Sequence, residues 1–145
     1  MGCDYYAKVI VGINTSTLTI DNSEKYKKVV NHPGRRTKNS NSEKIYSYTK
    51  REYKVRGFDE EIFDYESDAW DFMERKSGLE YVSHEDSPST VIGKIILSGS
   101  GEDNSAYQSM DFEEIAKVKE AVEKTIFETF GVEVHAKVHF VGYYV

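Results

Sequence analysis

The chain has 145 residues, is 39% hydrophobic and carries seven Phe and eleven Tyr, which is enough apolar mass for one folded core and too much for a disordered segment. Its longest apolar runs, such as residues 9–11 and 95–97, are far too short to span a bilayer. No basic segment followed by an apolar one opens the chain, which predicts no secretory signal. The single cysteine cannot close an intrachain disulfide, which points to a reducing, intracellular setting.

Net charge is −6, but the charge is unevenly spread. Residues 25–56 hold eleven Lys or Arg against two Glu, whereas residues 57–145 hold seven basic and twenty acidic side chains. The pattern predicts a basic patch on an otherwise acidic molecule.

Residues 4–14 read as a strand, with Tyr5, Ala7, Val9, Val11 and Ile13 on one face and Tyr6, Lys8 and Ile10 on the other. Residues 14–17 form a turn. A second strand begins at 17–20, resumes at 26–30 and is broken by Pro33 and Gly34. Residues 33–44, polar and rich in Asn and Ser, read as a loop. Residues 45–55 read as a third strand. Tyr46 and Tyr48 fall on one face of it, and Tyr53 and Val55 on the other, which predicts a bulge near Lys50 and Arg51.

Residues 67–76 predict a short helix capped by Ser67 or Asp68 and ended by Gly78, with Ala69, Trp70, Phe72 and Met73 on its apolar face. A short extended piece at 79–82 and a loop at 84–89 containing Pro88 follow. Residues 90–97 are a strand rich in β-branched side chains, and 98–105 a Gly, Ser and acidic loop.

The clearest unit comes last. Asp111 and Glu114 have the spacing of a capping box, with Met110 and Ile115 at the staple positions. Phe112, Ile115, Val118, Val122, Ile126 and Phe130 form one helical stripe, Glu113–Lys117 and Glu120–Lys124 are favourable pairs, and Gly131 stops the helix. Val132, Val134, Ala136, Val138 and Phe140 then alternate with Glu133, His135, Lys137 and His139, as in a strand with one buried face. Together the elements predict a single α+β domain over residues 1–145. It would have a mostly antiparallel or mixed sheet of about five strands, with one long helix in the C-terminal half and one short helix packed on a face. The unit at 90–145 reads as a right-handed crossover between parallel neighbours.

Candidate chemistry is sparse. On a strand, His135 and His139 stand about 13–14 Å apart, too far for one metal held by bonds near ~2 Å. Residues 98–101 lack the third glycine or the Gly-Lys-Ser/Thr of a phosphate loop, and Glu102 and Asp103 would repel phosphate. The acidic stretch Asp59, Glu60, Glu61, Asp64, Glu66, Asp68 and Asp71 matches no calcium loop and reads as solvated surface. Neither a serine elbow nor a catalytic cysteine signature is present, and no cofactor is implied. Met1-Gly2-Cys3 resembles a dual-acylation start, but Tyr6 stands where Ser or Thr is required, so a membrane anchor is not expected.

The one lead is the basic, tyrosine-bearing segment. Tyr46, Tyr48, Lys50, Arg51, Tyr53, Lys54 and Arg56 interleave rings with cations, and Arg35, Arg36 and Lys38 precede them. Such a surface suits stacked bases and phosphates. It also suits a protein interface, where Tyr is a stiff, amphipathic anchor. The acidic remainder favours protein over a polyanion.

Met1-Gly2-Cys3-Asp4-Tyr5-Tyr6, leading directly into a strand, resembles the start of a family of uncharacterised proteins of large DNA viruses of amoebae. The resemblance implies a viral protein in the virion or host cytoplasm. The expectation is a non-enzymatic interaction protein that binds a protein partner or its own copies. The alternative is a nucleic-acid-binding module using residues 35–56.

Overall fold

The computed structural model describes residues 5–33, 41–83, 90–100 and 108–144. Within them the chain is α+β, as its pattern predicts, but with nine strands in three antiparallel sheets rather than about five in one. The acylation-like start, Arg35, Arg36, Lys38, the loop around Pro88 and most of the Gly/Ser loop lie outside the described residues.

Strand β1 (Tyr5–Asn14) is covered on both faces. Val11 and Ile13 enter the main core, while Ile10 enters a smaller cluster with Val82, Val91, Ile95 and Val141. A 3-10 turn at Thr15–Thr17 ends it where a turn is predicted, and the Thr15 N–H donates to the Thr90 carbonyl at 2.9 Å.

Strands β8 (Val91–Ser100) and β9 (Lys137–Tyr144) flank β1, both antiparallel to it, and β7 (Glu80–Val82) pairs with β8. The order is β7-β8-β1-β9. β8 and β9 are therefore mutually parallel, but not neighbours as expected: β1 occupies the bonding edges that each would offer the other. β8 also runs on through Ser98 to Ser100, where a loop is predicted. Gly12 faces Gly93 across β1 and β8. A Cβ on Gly12 would lie 2.1 Å from the Ile92 carbonyl oxygen, and one on Gly93 would lie 1.9 Å from that of Val11. Both obstacles are backbone, so only glycine fits.

Helix α2 (Phe112–Phe130) packs on β1 and β8. Asp111 takes the N-cap position, but its side chain makes no cap bond; instead its carbonyl accepts the Ile115 N–H at 3.0 Å. Gly131, at φ 72°, stops the helix as predicted. Val122, Ile126 and Phe130 are buried, Ile115 and Val118 are partly so, and Phe112 is 90% exposed. The stripe thus leaves the core before the first turn. Ion pairs on the helix join Lys119 to Glu123 and Lys124 to Glu128, rather than the expected Glu113–Lys117 and Glu120–Lys124.

Helix α1 (Glu66–Ser77) begins one residue early, with Tyr65 rather than Ser67 or Asp68 as N-cap, and ends at Gly78 with φ 73°. Ala69, Phe72 and Met73 are buried, and Trp70 lies against Tyr81. Beside α1 stands a three-stranded sheet, β2 (Thr19–Asp21), β5 (Tyr53–Val55) and β6 (Phe58–Phe63), ordered β2-β5-β6. Leu18, Val55, Phe58 and Phe63 join the core shared by both helices and the larger sheet.

The remaining strands, β3 (Glu24–Pro33) and β4 (Asn41–Lys50), form a separate two-stranded ribbon. The switch of face within residues 45–55 is therefore a change of sheet at 51–52, not a bulge. β9 also starts later than its alternation suggests. Val132, Val134 and Ala136 pack on the core before the strand begins, whereas Val138 and Phe140, expected inside, are 55% and 67% exposed. They pair with Val11 and Val9, so they take the helix side of the sheet but extend past the cover of α2.

Tyr81 ties β7 to α1 by donating its hydroxyl to Asp71 Oδ1 at 2.5 Å. That bond, with burial and the nearby charges of Asp71 and Glu74 adding to it, pushes the phenol up to about 12. Because the folded pKa is raised, its contribution is complete below pH ~10 and is lost as pH climbs through the folded value. In Asp71→Ala, NMR titration of Tyr81 should return toward ~10. Gly93→Ala should lower stability to urea by about 3 kcal/mol or more, whereas Gly99→Ala, with open space at its Cβ, should stay within about 1 kcal/mol.

Candidate functional site

The segment singled out by sequence is divided among three environments. Tyr46, Tyr48 and Lys50 are on β4, exposed on the ribbon. Tyr53 is on β5, half-buried against the main core, and serves packing. Lys54 reaches Glu52 at 3.6 Å, and the Arg56 Nε donates to the Thr17 carbonyl at 2.9 Å. Arg51 lies between the ribbon and β5, with its guanidinium 5.6 Å from the centre of the Tyr65 ring. Only the ribbon residues and Arg51 thus share one region.

The ribbon stands off the body. β3 and β4 contact each other along their length and have at most slight contact with any other element. Ten residues per strand give an arm about 30 Å long at ~3.3 Å per residue. Residues 24–50 hold eight Lys or Arg and two Glu, leaving −12 on the rest of the chain.

The register sorts its side chains. Tyr26 faces Tyr48 across the strands, and their rings stack with centroids 5.4 Å apart and planes at 18°. Tyr46 follows two residues before Tyr48, on the same side. Lys25 and Lys27, opposite Thr49 and Ser47, take the other face. The Tyr26 hydroxyl donates to Glu24, and that bond raises the Tyr26 pKa.

The root of the arm is clasped. The Asn22 N–H donates to the Glu52 carbonyl at 2.8 Å, and the Glu52 N–H to Ser23 Oγ at 3.1 Å. Asp21 Oδ1 accepts the Ser23 N–H at 2.9 Å, and hydrogen bonding from Ser23 holds this carboxyl below its usual range. Next to the clasp lies an open hollow of about 530 Å³ lined by Lys50, Arg51, Ile62, Asp64 and Tyr65, among others.

A second hollow, of about 400 Å³, is one that sequence did not reveal. Asn14 at the end of β1 and Thr17 in the following turn meet Glu133, His135, Lys137 and His139 from the segment running into β9. From sequence only the histidines stand out there, because long-range pairing creates the site. His139 Nε2 lies 3.1 Å from the Gly12 carbonyl. A carbonyl only accepts, so that nitrogen carries the proton and is not free to act as a base or ligand. His135 precedes the strand and is exposed. Among the described residues no three His, Cys, Asp or Glu side chains are grouped to hold a metal, and no helix is long and apolar enough to cross a membrane.

Compared with protein-family models, curated proteins and solved structures, the chain matches none of them.

An isolated two-stranded ribbon is marginal in water, so the Tyr26–Tyr48 stack adds measurably to the order its ladder and clasp supply. Tyr48→Ala should cost the ribbon about 1 kcal/mol, a roughly fivefold loss of amide-exchange protection along β3 and β4. The melting temperature of the body should shift by less than about 2 °C, because the arm shares so few contacts with it.

Proposed function

We propose that this chain is a non-enzymatic interaction protein, viral in origin, acting in the virion or host cytoplasm and gripping a protein partner with its ribbon. The observation that carries this is the arm itself: a long, basic, tyrosine-bearing element clasped at its root and held clear of the acidic body. Exposed Tyr46 and Tyr48 offer aromatic area at low entropic cost, and the lysines favour an acidic partner surface. The stack of Tyr26 on Tyr48 already occupies one face of each ring, so a base cannot slip between them. The viral setting rests on the resemblance of residues 1–6.

Nucleic-acid binding by the same arm is the alternative, favoured by one observation. Lys25, Lys27 and Lys50 are exposed on a projecting two-stranded ribbon, a shape that fits the major groove of a duplex.

Two measurements separate them. A photocrosslinker placed at Tyr46 in host cells should capture a defined protein, and Lys25→Glu with Lys27→Glu should abolish the capture. No protein adduct would overturn the proposal. Salt-titrated anisotropy with single- and double-stranded probes should show no binding beyond weak, sequence-blind attraction. Tight binding that falls about 10³-fold or more between roughly 50 and 200 mM salt would establish the nucleic-acid alternative instead.

A further inference from the structure

The four-stranded sheet ends on two very different edges. At one end β7 has only three residues and begins with Glu80, so it offers little for another strand to pair with. At the other end β9 runs for eight residues, and among the described residues no strand pairs with its outer side.

β9 lacks the usual guards of a free edge. It contains no proline, its pairing with β1 shows no bulge, and its one Lys or Arg, Lys137, is at the very start. Beside this edge the side chains of Val138 and Phe140 are more than half exposed. Unpaired backbone donors and acceptors call for an extended chain, and the two side chains call for apolar contact.

We infer that the outer edge of β9 is a homodimer seam, where a second copy of this chain pairs its own β9 antiparallel and doubles the sheet. A two-fold axis perpendicular to the sheet keeps each face on its own side, so positions of equal parity meet. With the axis at Phe140, that residue meets its own copy and Lys137 falls opposite Tyr143. With the axis at His139, Phe140 meets Val138. At Phe140 no like charges are opposed directly, and in both registers an apolar pair forms on the helix side. β7 offers three residues where a second β9 offers eight, so head-to-tail pairing would form fewer than half the ladder bonds and the two-fold pair is favoured over a fibre. The seam stands on the larger sheet alone and does not rely on the ribbon as a binding arm.

Sedimentation equilibrium of the full chain should give a dimer. Val138→Lys with Phe140→Lys should raise the dissociation constant more than about 10-fold with an unchanged circular dichroism spectrum. Tyr46→Ala with Tyr48→Ala should leave the dimer intact, which separates this seam from the ribbon. Phe140→Cys in a Cys3→Ser background should join into a covalent dimer with a short bis-maleimide linker, whichever register forms. A strict monomer at roughly 100 μM, well above a micromolar Kd, would overturn the inference. So would a dimer that survives the paired Lys substitutions or dissolves in the ribbon variant. If the Lys variant fails to fold, the linker experiment decides alone, and absence of a covalent dimer refutes the seam.

Discussion

Strand β1 is bonded along both edges, to β8 and β9, and covered on both faces. Ile10 and Val11 are fully buried on opposite sides, and Ile13 nearly so. At about 1.5–3 kcal/mol for each buried aliphatic side chain, this one strand contributes an amount comparable to the net stability of a typical domain. The geometry that permits it is the contact of Gly12 with Gly93, where the two backbones approach closer than any side chain allows. If that contact opened, β8 would move away from β1, and α2, which packs on both, would lose its floor.

The elements that sequence revealed are those fixed by local chemistry. Gly78 and Gly131 end the helices in left-handed conformations that only glycine adopts without strain, and the stripe of α2 is visible from its spacing alone. What sequence missed depends on long-range pairing. Tyr53 looks like Tyr48 in the sequence, but β4 pairs with β3 and β5 with β2, so one ring faces water and the other the core. β6 was hidden because Asp59, Glu60 and Glu61 dominate its composition, while Phe58 and Phe63 do its packing. Alternation assigned Val138 and Phe140 correctly to the helix side; it had no means of showing that α2 stops short of them.

Charge is partitioned the same way as contact. Residues 24–50 carry a net charge of +6 against −12 on the rest of the chain. The body is held by apolar packing, whereas the arm, which exposes Lys25, Lys27 and Lys50, is held mainly by its own ladder and the clasp at Glu52. Lys25, Lys27 and Lys50 are exposed to solvent rather than packed against the body.

The ribbon and β9 solve the same problem in opposite ways. Each exposes strand edges that invite pairing. On the ribbon, Lys25, Lys27 and Lys50 repel an approaching copy of the same arm, so the lysines that suit an acidic partner also prevent the arm from stacking on itself. β9 carries no such repulsion along its middle, and its neighbours Val138 and Phe140 make self-contact favourable. Charge thus guards the edges of the ribbon, whereas among the described residues nothing comparable guards the outer edge of β9. The difference lies in residue type, not in strand length.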